Sequence, residues 1–194
     1  MAKLENADIT ARLEFLKEAA GLKDVVRSAH TNAGTIESVA AHSWRLTLLA
    51  LTFRDALPAD VDFAKLISLL IVHDLGETYG GDIPAIHQTP ATKAQKSDQE
   101  RADVQRLTQE LPSHLGRALT ALWEEYEAGE TLEAKLAKGF DKIETLLQHT
   151  HGKNPADFDY MFNLQYGREW TDSSALLADL RQIVDEWTRA KRAE

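Results

Sequence analysis

The sequence predicts an all-α fold, a single-domain bundle of about six to eight helices spanning residues 1–194. Three observations predict it. Apolar residues recur at helical spacing nearly throughout, no alternating run of useful length marks a strand, and no linker, repeat or low-complexity tract divides the chain. A chain of 194 residues buries a large core without cross-links, and it has no cysteine with which to make them.

The elements follow in order. A first helix is expected over about 8–20, where Ile9, Leu13, Leu16 and Ala20 share one face and Gly21 ends it. A second starts near Ser38, with Val39, Leu46, Leu49 and Phe53 as its apolar stripe up to Pro58. A third follows Asp62, a good N-cap, and carries an apolar run that ends in His73-Asp74. Gly76, Gly80, Gly81 and Pro84 mark the loop beyond it. A charge-rich helix fits 91–110 and stops at Pro112. Another follows Ser113, with Leu115, Leu119, Leu122, Trp123 and Tyr126 in phase. A long helix over 131–151 repeats Leu132, Leu136, Phe140, Ile143 and Leu147, and Gly152 and Pro155 close it. A loop rich in aromatics (Phe158, Tyr160, Phe162, Tyr166, Trp170) leads to a last helix over about 174–192.

The net charge of -9 argues against nucleic-acid binding, which needs clustered lysine and arginine. It leaves room for a small phosphorylated ligand, because a buried metal and a placed arginine dominate at short range. The start of the chain lacks the apolar stretch of a signal peptide, and no apolar run reaches membrane-spanning length. These features point to a soluble, cytoplasmic protein with no membrane partner.

His73 and Asp74 are awkward at the end of a buried helix unless something pairs with both. A divalent metal does so, since imidazole and carboxylate are good ligands for several first-row metals. His42 falls on the inward stripe of the second helix, and Asp141 beside Phe140 on the long one. Convergence of His42, His73, Asp74 and Asp141 would make a His2Asp2 site with open positions, the mark of a catalytic metal. Taken alone, each residue also has an ordinary reading. His42 fits a core histidine bonded to a carbonyl, Glu77 a solvated helix-end carboxylate, Asp82 a turn residue and Arg27 a surface ion pair. His149 and His151 fit histidines interacting with a helix C-terminal dipole, and His114 a surface residue.

The ordered set of Glu37-Ser38-Val39-Ala40-Ala41-His42-Ser43, His73-Asp74-Leu75-Gly76-Glu77, Gly81-Asp82-Ile83-Pro84 and a distal Asp141 resembles the HD-domain metal-dependent phosphohydrolases. Within them it is most similar to the 5'-deoxynucleotidase branch of YfbR-like and HDDC2-like proteins, over about residues 10–170. The resemblance implies an HD-type helical bundle, often a homodimer, that hydrolyses phosphate esters with one divalent cation (Mn, Co, Fe, Ni, Zn or Mg). It implies that His42, His73, Asp74 and Asp141 are metal ligands, that Glu77 and Asp82 act near the attacking water, and that Arg27 contacts the substrate phosphate. The substrate it implies is a deoxyribonucleoside 5'-monophosphate. Another small phosphate ester or a cyclic nucleotide, or a non-catalytic metal- or nucleotide-binding module, stands as the alternative. Two positions depart from the family pattern. Ala41 stands where relatives often carry an acid. Ser28-Ala29-His30-Thr31-Asn32 lacks the tryptophan that often shapes the sugar site, which makes His30 a candidate substrate contact.

Overall fold

In the computed structural model, residues 4–193 are described. The helices are α1 (Asn6–Ala19), α2 (Val39–Thr52), α3 (Phe63–Val72), α4 (Glu77–Gly80), α5 (Pro90–Thr108), α6 (Ser113–Ala128), α7 (Leu132–His151), α8 (Tyr160–Asn163), α9 (Arg168–Thr171) and α10 (Ala175–Arg192). Of these, α4, α8 and α9 are single turns, which leaves seven long helices among the described residues. The starts are set by side-chain caps. Ser38 accepts from the Ala41 amide, Asp62 from Lys65, Thr131 from Ala134 and Ser174 from Leu177.

Helix α7 is the axis of the fold. Fourteen of its 20 residues are buried, so other elements cover it on nearly every side, and the buried set includes polar groups such as Asp141, Glu144 and His149. Leu46, Leu66, Leu69, Leu70, Phe140, Ile143, Leu146 and Leu177 pack as one cluster, which joins α2, α3, α7 and α10. Val39, Val72, Val104, Leu107 and Trp123 form a second cluster between α5 and the start of α2. No helix is long and apolar enough to cross a membrane among the described residues.

Three sequence expectations need correction. A short antiparallel hairpin, β1 (Val26–His30) and β2 (Ile36–Ser38), precedes α2 where no strand was expected. Five residues are too few for alternation to register, and the pairing depends on the turn between them, where Thr31 N donates to Thr35 O at 2.8 Å. The His73-Asp74 pair lies past the last turn of α3, not within it. His73 is the C-cap, and the Leu75 amide donates to Val72 O at 3.0 Å as the chain turns into α4. The apolar face of α1 points outward: Leu13 and Leu16 are 60% and 61% exposed, and the helix packs through Phe15 and Ala19 instead.

Candidate metal centre

Four polar side chains meet where α2, α7 and the turn after α3 come together. His42 Nε2 lies 3.1 Å from Asp141 Oδ1 and 4.0 Å from Asp74 Oδ2, and His73 Nε2 lies 3.0 Å from the same Asp74 oxygen. The ligand atoms of His42, His73 and Asp141 all fall within 4.8 Å of one another.

The remaining atoms of these groups are already committed. His42 Nδ1 meets the Glu144 carboxylate, which is fully buried and held by Arg45 Nε at 2.6 Å. His73 Nδ1 meets Leu70 O at 2.9 Å, and since a carbonyl only accepts, Nδ1 carries the proton. Asp141 Oδ2 accepts from Tyr126 Oη at 3.0 Å and Lys142 Nζ at 2.7 Å, so its Oδ1 is the oxygen turned toward His42. Both histidine Nε2 atoms are buried with no hydrogen-bond partner among the described residues. Two orphaned imidazole nitrogens facing two carboxylate oxygens are the donor set of a nitrogen- and oxygen-ligated divalent cation. Nδ1 partners that fix each ring are the usual support of such ligands. Glu37, His42 and Glu144 also cluster, but Glu144 already engages the His42 nitrogen on that side, so this group supports the centre.

Charge tells the same story. Burial and Arg27 disfavour a charged His42, yet Glu144 and Asp141 outweigh them and lift it to about 9. Asp74 and Asp141 are pushed down despite burial, by His73 in the first case and Lys142 and His42 in the second. The carboxylates thus demand positive charge at their centre, and a divalent cation answers that demand.

A cavity of about 810 Å³ opens on this centre, lined by His73, Asp74 and Asp141 with Arg27, Glu77 and Asp82. Arg27 projects from β1 and reaches Thr145 Oγ1 at 3.0 Å and Asp74 Oδ2 at 3.5 Å. Glu77, in the first turn of α4, is 4% exposed. Its Oε1 accepts from Lys96 Nζ at 3.0 Å, while Oε2 has no hydrogen-bond partner among the described residues. Burial, then Asp74, push Glu77 up to about 9 against the pull of Lys96. Gly76 permits this contact: a Cβ there would stand 2.6 Å from Glu100 Cβ, so only glycine lets α5 approach closely enough. Asp82 follows Gly81, whose φ of +78° turns the chain back toward the cavity. Burial raises Asp82, with Arg27 opposing.

His30 does not join this group. It is not among the cavity-lining residues, and its backbone carbonyl accepts from Gln148. Several groups that the sequence left unmarked do join it. Glu144, Tyr126 and Lys142 anchor the ligands, and Lys96 anchors Glu77. Glu144 had a signal, since a carboxylate three residues after Asp141 shares its inward face. Tyr126 had none, because a tyrosine on an apolar stripe reads as core.

His149 also differs from expectation. It is buried, and burial lowers it to about 4, so it is neutral at pH 7 and makes no charged interaction with the helix terminus. An unfolded histidine titrates near 6.5, so between 6.5 and 4 the unfolded chain binds the extra proton. The His149 contribution is therefore complete above about 6.5 and is lost as pH falls toward 4, by at most about 3 kcal/mol. Thermal melts from pH 7.5 to 4.5 are expected to fall more steeply for the unsubstituted protein than for His149→Phe.

The chain is similar to known proteins in sequence and in fold. A family profile described as HD domain matches residues 19–187. The 5'-deoxynucleotidase HDDC2 of Dictyostelium discoideum is 33% identical over 161 residues, 79% of this chain and 84% of the relative. The human protein of that name is 35% identical over 138 residues, 70% of this chain and 65% of its own length. The chain thus spans just under two thirds of the human relative. A crystal structure of a predicted metal-dependent phosphohydrolase from Magnetospirillum magnetotacticum superposes with a TM-score of 0.80 at 27% identity, covering 95% of this chain and 97% of the other.

Proposed function

The chain belongs to the HD-domain family, and on that premise we propose that it is a metal-dependent phosphomonoesterase that releases phosphate from 2'-deoxyribonucleoside 5'-monophosphates. The observation that carries this reading is the meeting of two orphaned histidine nitrogens, two carboxylates and one arginine, of which His73, Asp74, Asp141 and Arg27 line a single cavity.

His42, His73, Asp74 and Asp141 would hold the cation. When bound, it supplies Lewis acidity at the phosphate. Arg27 binds and orients the phosphate oxygens through its planar fork, which Thr145 and Asp74 hold in place before substrate arrives. Glu77 is the proton-handling group for the attacking water: Lys96 fixes one oxygen and leaves the other, Oε2, to exchange a proton with that water. Asp82 is less buried than Glu77, and we assign it to the sugar hydroxyl or the leaving oxygen.

The reading extends to a cytoplasmic homodimer. A chain without cysteine suits a reducing compartment. Trp44, Leu48 and Leu51 form an exposed apolar stripe on α2, with Trp44 68% exposed, as a subunit contact would. Trp44→Lys is expected to shift the protein toward monomer in size-exclusion chromatography with light scattering.

A phosphate-release panel tests the activity. With Mn, Co or Mg present, 2'-deoxynucleoside 5'-monophosphates should be cleaved, and 2'-deoxynucleoside 3'-monophosphates and cyclic nucleotides at least about tenfold more slowly, a difference of about 1.4 kcal/mol. Deoxynucleoside 5'-monophosphates left intact with all three cations would overturn the proposal.

A further inference from the structure

The cavity extends past the metal centre, and no group assigned above uses its far wall. Along α7, Asp141, Thr145 and His149 follow one another at intervals of four residues on one face. A rise of 1.5 Å per residue places His149 about 12 Å along the axis from Asp141. Asp141 belongs to the metal centre and Thr145 holds the phosphate-binding arginine. His149 therefore stands one step beyond the phosphate.

His149 Nδ1 lies 3.1 Å from Asn163 Oδ1, and both residues line the same cavity as Asp74 and Arg27. An amide oxygen only accepts, so Nδ1 carries the hydrogen and fixes the Asn163 amide with its NH2 on the other side. Asn163 is 1% exposed, and its Nδ2 is buried with no hydrogen-bond partner among the described residues. A buried donor left unpaired is costly, so this atom marks a place where a ligand acceptor belongs. The walls beside it are aromatic. Phe158 meets the His149 ring edge-on at 4.8 Å, and Phe162 stacks on Tyr166 at 5.5 Å. The segment is rigidly mounted, because the buried Arg181 donates to Asn163 O at 2.8 Å and to Tyr166 O at 2.6 Å.

We propose that Asn163, oriented by His149, is the base-recognition residue of the cavity, donating from Nδ2 to an acceptor on the edge of a nucleobase that lies among Phe158, Phe162 and Tyr166. The proposal rests on the nucleotide reading above. A flat heteroaromatic ring satisfies both the aromatic walls and the amide, whereas an aliphatic group would leave the amide unpaired. Neutral His149 suits an uncharged base. His149 acts as a positioning residue, and Asn163 touches the substrate.

The test compares kcat/KM for the four 2'-deoxynucleoside 5'-monophosphates with that for 2-deoxyribose 5-phosphate, which has the same sugar and phosphate but no base. The unsubstituted protein should favour at least one nucleotide by more than tenfold. In Asn163→Ala that ratio should fall about tenfold, chiefly through KM. His149→Phe, which keeps a ring but releases the amide, should lower it in the same direction. It also serves as the test if Asn163→Ala loses its cooperative thermal transition. A ratio unchanged in a folded variant, with nucleotides still good substrates, overturns the base site alone. Cleavage of 2-deoxyribose 5-phosphate with no nucleotide cleaved overturns the nucleotidase reading, and the base site with it.

Discussion

Replacing His73 with alanine is expected to strip the protein of its divalent cation and to lower kcat/KM by about a thousandfold or more. His73 is 4% exposed, its Nδ1 is fixed by Leu70 O, and its Nε2 has no partner but the space shared with His42, Asp74 and Asp141. No neighbouring side chain can replace that nitrogen, since His42 Nε2 is already one of the converging groups and Tyr126 Oη donates to Asp141. The cation's contribution to the transition state is several kcal/mol, and about 1.4 kcal/mol is a factor of ten. The fold should survive, because the lost groups are polar and the core clusters do not include His73. Metal content by elemental analysis, a thermal melt and steady-state kinetics check the three parts. A His73→Ala protein that kept both metal and activity would place the centre elsewhere.

Arg27→Ala gives the second large effect, with a different signature. Loss of the guanidinium should lower kcat/KM by about a hundred- to a thousandfold, the usual result of removing a charged donor from a phosphate site. The cation should be retained, because the substitution removes a positive charge 3.5 Å from Asp74 and leaves every ligand in place. Arg27→Lys should recover little: a single ammonium cannot reproduce a fork held by both Thr145 and Asp74. Activity lost with metal kept separates phosphate binding from metal binding. An Arg27→Ala enzyme within about threefold of the unsubstituted protein would contradict the assignment.

Much of the fold was legible because local and global signals agree. Asp62 and Thr131 cap the helices they were expected to start or precede, and the long stripe from Leu132 to Leu147 describes the axis of the bundle. The hairpin that carries Arg27 was not legible, because its register comes from a turn and from the packing of Ala29, not from periodicity. Nor was the direction of α1: an apolar stripe says that a face is to be covered, not that the same chain covers it.

The candidate site divides in a similar way. His42 and Asp141 stand out because polar groups on apolar faces are conspicuous. The anchors behind them do not, since Glu144, Tyr126 and Lys142 are each ordinary on a helix until the partner is known. Asn163 and His149 are 14 positions apart and meet only because Arg181 pins the segment between α7 and α10. A single-residue reading of His149 could only describe its place near a helix end.

The most direct test is phosphate release from a deoxynucleoside 5'-monophosphate by protein first treated with chelator, then reloaded with Mn, Co or Mg. Activity should vanish on chelation and return with about one cation bound per chain, the number that four converging ligands suit. Asp141→Ala, carried through the same cycle, should recover neither cation nor activity. Full phosphate release from the chelated protein, or recovery in Asp141→Ala equal to that of the unsubstituted chain, would contradict a catalytic cation held by His42, His73, Asp74 and Asp141.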